Sequence, residues 1–156
     1  MSPRARGAVL GALIVVISLA GGCGSDDGDA PAGHGSAQEV IDAHLTAMRT
    51  YDLAAACELM APQRREEMAA ADGAEVDGYC ERATREVMEL ASEEDKARTR
   101  ELYTTAEVSE VERDGGTWFS IEAPDGSYHE EVQLVEVDGR WWVEHIESTV
   151  EDEHGH

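Results

Sequence analysis

The chain has 156 residues, with 34 Asp and Glu against 12 Lys and Arg, and a formal net charge of −22. That balance argues against nucleic acid, which needs a basic face to hold phosphates, and against adsorption to an anionic membrane by charge alone. Its plain meaning is solubility; its sharper meaning is attraction of a cationic partner or of divalent ions.

The first element is a leader. Arg4 and Arg6 precede an apolar run over 8–20 that includes Leu10, Leu13, Ile14, Val15, Val16 and Ile17. A spanning helix needs about 20 apolar residues, so this run is short for a permanent span. Small residues follow at once, which is the layout of a cleavable export signal. Cys23 comes directly after them. Leu19-Ala20-Gly21-Gly22-Cys23 resembles a bacterial lipoprotein signal, in which the cysteine is diacylated and becomes the new N-terminus. The family prefers a leucine-like residue three before the cysteine; here Ala20 holds that place, with Leu19 one step further out. The resemblance implies palmitate-type chains on Cys23 and a protein tethered to the cell membrane on its extracytoplasmic side. Two or three chains hold a protein stably on a bilayer, whereas one gives only marginal binding. Plain secretion with cleavage near Gly22 or Gly24, and an uncleaved N-terminal anchor, are the alternatives.

Removing 1–22 leaves 134 residues, and the loss of Arg4 and Arg6 takes the charge from −22 to −24. That length suits one domain with a modest core. Residues 24–35 (GSDDGDAPAGHG) are glycine-rich and acidic, without apolar periodicity. They read as a disordered tether, since they carry too little apolar surface to order themselves.

Helices follow. Ser36-Ala37-Gln38-Glu39 fits a capping box, and Val40, Ile41, Leu45, Met48 and Tyr51 form one helical stripe over 36–51. His44 borders that stripe. Asp52 caps a second piece, in which Leu53, Ala56, Cys57 and Met60 recur at helical spacing. Pro62 opens a third, ended by Asp72-Gly73. A fourth starts near Asp77 or Gly78, and Cys80, Ala83, Val87 and Leu90 line one face of it. Ser92 caps a last polar turn reaching about Arg100.

With Cys23 acylated, Cys57 and Cys80 remain, and an exported chain meets an oxidising environment. Both sit on apolar stripes, and neither has a second cysteine or a histidine at ligand spacing. A Cys57–Cys80 disulfide is expected, stabilising the fold by about 3 kcal/mol in the chain-entropy account.

From Leu102 the apolar period changes to two. Strands are expected over 104–112, 118–123, 128–137 and 140–148, joined by Asp114-Gly115-Gly116, Pro124-Asp125-Gly126-Ser127 and Asp138-Gly139 turns. The apolar phase of the third strand shifts between Leu134 and Val135, which predicts a bulge there. In the last strand Trp141, Val143 and His145 share one face, and Trp142, Glu144 and Ile146 the other.

Helices followed by an antiparallel meander make an α+β chain. The helical string Val40-Ile41-Asp42-Ala43-His44-Leu45, the joint Tyr51-Asp52-Leu53-Ala54-Ala55-Ala56-Cys57 and the closing Asp138-Gly139-Arg140-Trp141-Trp142-Val143 resemble the cystatin-like roll. More narrowly, they resemble nuclear-transport-factor-2-like domains of exported actinobacterial lipoproteins. The resemblance implies N-terminal helices packed on a curved antiparallel sheet of about four strands, with a cone-shaped pocket. It divides the chain into a lipoprotein signal (1–22), a tether (23–35), a roll domain (36–148) and an acidic tail (149–156).

Some relatives of this roll are isomerases, cyclases or dehydratases that use a carboxylate or histidine base in an apolar cone; others only bind. Here His44, His129, Trp141 and His145 are the pocket candidates, with Tyr128 beside them, and no Asp or Glu stands visibly in an apolar run on the inner face. The expectation is therefore a non-catalytic binding or interaction module without cofactor or metal. Its alternative is a small enzyme acting on an apolar carbonyl compound. His154 and His156 in the tail suit at most a weak metal contact, because ordering a chain end is costly. Trp118 and Trp142 fall on the outer sheet face and mark a candidate interface for a protein partner or a second copy. A small apolar molecule in the cone is the other candidate partner.

Overall fold

A computed structural model of the chain describes residues 33–113 and 115–150. Cys23, the leader and the tail beyond Val150 lie outside these residues. The described chain runs through five helices and then four strands, an α+β arrangement with the helices N-terminal to a curved, open antiparallel sheet.

Helix α1 (Ala37–Thr50) starts where expected: the Ser36 hydroxyl accepts from Glu39 N at 3.3 Å. The Glu39 carboxylate accepts from Gly35 N at 2.8 Å, one residue ahead of the cap. Tyr51, in the left-handed region at φ 58, ends the helix. Asp52 caps the short α2 (Leu53–Glu58), and Pro62 opens α3 (Pro62–Ala71). Helix α4 covers Tyr79–Leu90. A capping box of Ser92 and Asp95 starts α5 (Glu93–Thr105). That helix runs a full turn past the expected end and takes in Thr104, expected to open a strand. Tertiary packing overrides the β-branched local preference here: Tyr103 is buried against the core, and Arg49 Nε of α1 donates to its carbonyl at 2.8 Å.

The strands β1 (Glu107–Arg113), β2 (Gly116–Glu122), β3 (Tyr128–Val137) and β4 (Arg140–Val150) form a simple meander, β1-β2-β3-β4. Strand β4 thus extends two residues into the expected tail. Its hairpin with β3 turns on Asp138 and Gly139, both at positive φ, the conformation a tight two-residue turn requires. The inner face of the sheet packs on α1 and α5: Phe119, Ile121, Val132, Leu134 and Val143 meet Val40, Ile41, Leu45 and Tyr103.

A bulge decides which side chains join that core. Gln133 pairs with His145 and Leu134 with Val143, so Glu144 is the extra residue. The irregularity sits one position before the expected one. Because strand side chains alternate with period two, one inserted residue inverts the phase beyond it. Val143 stays inside, but Ile146 returns to the core side opposite Val132, and His145 moves out opposite Gln133.

The residues expected to end the tether are docked. His34 and Trp141 exchange backbone hydrogen bonds at 3.2 and 2.8 Å, and Arg140 donates to the Gly33 carbonyl at 2.9 Å. Gly33 lies so close to the Trp142 indole that a Cβ there would sit 2.4 Å from it. Farther along β4, Leu59 and Ala61 hydrogen-bond to Val143 at 2.8 and 2.7 Å. One edge of the sheet is thereby covered.

Cys57 and Cys80 are bonded, with Cα atoms 5.5 Å apart, and join α2 to α4. Around them Ala69 and Tyr79 form a second, smaller cluster, and the Tyr79 hydroxyl donates to Asp72 at 2.6 Å. The stripe expected to bury α4 is only half used. Beyond Cys80 the helix overhangs, leaving Val87 51% and Leu90 78% exposed.

Candidate functional site

The polar centre of the fold is Glu130, only 4% exposed although it is a carboxylate. It lies on the inner face because Glu130, Val132 and Leu134 occupy alternate positions of β3. His44, one of the pocket candidates, comes down from α1, itself 2% exposed, and its Nε2 lies 2.9 Å from Glu130 Oε1. An ionised carboxylate only accepts hydrogen bonds, so Nε2 carries the proton. The other oxygen, Oε2, accepts from the Tyr103 hydroxyl at 2.8 Å and the Tyr128 hydroxyl at 2.6 Å. The two hydroxyls are 2.9 Å apart. Each has one proton and each gives it to Oε2, so their mutual contact carries none while Glu130 is ionised. His44 and Tyr103 also meet edge to face.

Burial pushes the Glu130 pKa up. The hydrogen bond and charge of His44, then the bonds from Tyr128 and Tyr103, outweigh it and hold the carboxyl below its usual range. Both tyrosines move the other way: burial first, then the neighbouring Glu130 charge, drive their hydroxyls far above ordinary phenol values. The network is closed except at His44 Nδ1, which has no partner among the described residues.

The other candidates lie elsewhere. His129 is on the outer face beside Glu122 (3.1 Å) and Glu131 (3.9 Å), and His145 is there with Glu147 at 3.3 Å, turned out by the bulge. Neither belongs to a pocket with His44. Trp141 packs on the edge of the core. Trp118 and Trp142 are on the outer face as expected, but neither is exposed: they retain 5% and 8% of their surface. Arg113 lies 4.2 Å over the Trp118 ring and pairs with Glu131 and Glu147. Gly33 and Arg65 cover Trp142. A partner docking on that face would meet charged side chains, not bare indoles.

Glu130 itself is absent from the sequence-derived candidates, and so is Tyr103. A signal was available for the first: stepping back by twos from Leu134 and Val132 reaches Glu130.

The expected open cone is filled in its middle by Phe119, Val132, Leu134 and the α1 side chains. Open grooves remain at its two ends. One, about 570 Å3, lies between α5 and the β2–β3 turn, beside Leu102, Pro124 and Tyr128. The other, about 880 Å3, lies between the α2–α3 corner and the far end of the inner face. Pro62, Leu134 and Trp141 form its apolar lining, and Glu66, Glu136 and Glu144 its acidic lining. Among the described residues no group of three or more His, Cys, Asp or Glu is placed to hold a metal ion, and no helix is long and apolar enough to cross a membrane.

No protein family, curated protein or solved structure matches this chain. Function must therefore be argued from the residues.

Proposed function

We propose that the chain is an exported lipoprotein, acylated on Cys23 and held at the extracytoplasmic side of the cell membrane, whose roll is a non-catalytic binding module of the envelope. The leader ending in Cys23 supports the address. The Cys57–Cys80 bridge agrees with it, since such bridges persist where the surroundings are oxidising. The layout of helices on a curved sheet agrees with a nuclear-transport-factor-2-like, cystatin-like domain.

The observation that carries the non-catalytic reading is the state of Glu130. Both of its oxygens are taken by the protein's own donors, inside a packed core. A base serving an isomerase- or cyclase-like reaction on an apolar carbonyl compound must reach its substrate. His44 and Glu130 reach each other instead, which is the arrangement of a structural hydrogen-bonded pair.

Growth of the producing cells with an alkyne fatty acid tests the address. Wild-type protein is expected to take up the label and Cys23→Ala to lose it. An unlabelled wild type, or label that survives the substitution, overturns the proposal.

A further inference from the structure

We infer that the lobe formed by α3 and α4 is the side of the domain that rests on the bilayer, with Val87 and Leu90 of α4 seated at the headgroup boundary. The inference rests on the proposed acylation of Cys23 and adds to it the surface that meets the lipid.

Exposed apolar surface gathers where the chain from Cys23 enters the domain. Among the described residues the exposed large apolar side chains are Val76, Val87, Leu90, Val108 and Val137. Val76 leads into α4, and Val87 and Leu90 share one exposed face of that helix with Ala83. Cys80, one turn earlier on the same face, is buried with Ala69 and bonded to Cys57. The helix is thus held at its start and bare at its end. Its charged residues Glu81, Arg85 and Glu89 fall on the opposite side, the layout of a helix that lies in the plane of a membrane interface. Val137 is on the β3–β4 hairpin; Val108 alone stands apart, on β1 between Glu107 and Glu110.

The docked residues Gly33 and His34 fix where that chain arrives. Trp141 holds His34, and Arg140 holds Gly33. Gly33 abuts the Trp142 indole, and Arg65 of α3 lies 5.8 Å from the centre of the same ring. One turn on from Arg65, Ala69 packs with Tyr79 and Cys80 of α4. The connection to the lipid therefore leaves the domain beside the lobe. Residues 24–32 lie between Cys23 and Gly33, and that length of chain spans at most about 35 Å, close to the width of a domain this size. A link so short holds the facing surface at millimolar effective concentration, so a contact too weak to retain a free protein persists. Charge does not select the lobe: at a net −22 the chain gains nothing from anionic headgroups. Apolar exposure and the point of attachment do.

The test takes the protein from the membranes of its producing cells into phosphatidylcholine nanodiscs that carry a nitroxide-headgroup lipid. Amide intensities are read with the nitroxide active and again after its reduction. The amides of Val76, Val87 and Leu90 are expected to lose most of their intensity, while Gly126 and Ser127, in the β2–β3 turn, keep most of theirs. Val87→Gln with Leu90→Gln should erase that difference while the melting curve and the fatty-acid label stay unchanged. Leu90→Gln alone should reduce it, and carries the test if the double variant melts early. Even loss across the domain, loss centred on another surface, or a pattern unchanged by these substitutions would each overturn the inference. Wild-type protein without fatty-acid label brings down the lipoprotein proposal and this inference together; a labelled chain with even loss brings down this inference alone.

Discussion

The two ends of the sheet's inner face use the same side chain in opposite ways. Near the β2–β3 turn, Glu130 is buried and every oxygen is answered by His44, Tyr103 or Tyr128. Near the β3–β4 turn, Glu66, Glu136 and Glu144 line an open groove and are answered by nothing among the described residues. A buried carboxylate must be paired to be tolerated, whereas an accessible one can wait for a partner. Glu130 and Glu136 lie on the same strand, so depth rather than residue type decides which acid is answered by the fold.

Breaking the closed end has the largest expected effect. His44→Leu leaves the buried Glu130 carboxylate without its Nε2–H donor and should cost about 3 kcal/mol in denaturant unfolding. His44→Leu combined with Glu130→Leu should recover part of that loss, because an apolar pair of similar volume tolerates the site better than a lone acid. A double variant as unstable as the sum of the two single ones would contradict the coupling of His44 to Glu130.

The stapled lobe comes next. It buries little beyond Ala69, Tyr79 and Cys80, so it leans on the covalent link. Cys57→Ser with Cys80→Ser should lower unfolding stability by about 2–4 kcal/mol. Gly33→Ala sets a methyl against the Trp142 indole and should cost about 1 kcal/mol, with faster amide exchange at His34 and Trp141. At the small end, Leu90→Gln should change stability by less than about 0.5 kcal/mol, since Leu90 is 78% exposed.

That last prediction runs against the sequence, where Leu90 continues the stripe of Cys80, Ala83 and Val87. Periodicity marks which face of a helix is apolar but not whether a neighbour is long enough to cover it, and α2 ends after six residues. The elements that read correctly are those fixed locally: the Ser36 and Asp52 caps, Pro62 opening α3, the Asp138-Gly139 turn and the pairing of the only cysteines beyond the leader. What could not be read depends on partners that strand pairing and packing bring together. Glu144 becomes a bulge only against Gln133 and Leu134, and that single residue sends His145 out and Ile146 in. Glu130 looks like any acid in an alternating strand until His44, 86 residues away, reaches it. Trp118 reads as an exposed aromatic because its cover is Arg113, across the β1–β2 hairpin.

The tyrosines give the comparison an alkaline limb. Their hydroxyls are held well above the ordinary tyrosine value of 10.0, so the unfolded chain releases those protons first and stability should fall as pH rises past about 10. Glu130 gives the acid limb. Its folded pKa is depressed, so its contribution is present above the unfolded value near 4.5 and is lost as pH falls through the folded one.

Following the Glu130 carboxyl carbon by NMR during acidification tests the central claim most directly. The account predicts that Glu130 stays ionised below pH 4.5, the ordinary glutamate value, and takes up its proton only as the signals of His44, Tyr103 and Tyr128 lose their native positions. Protonation at or above that value, with the fold and those neighbours undisturbed, would show that the carboxylate does not hold the closed end together.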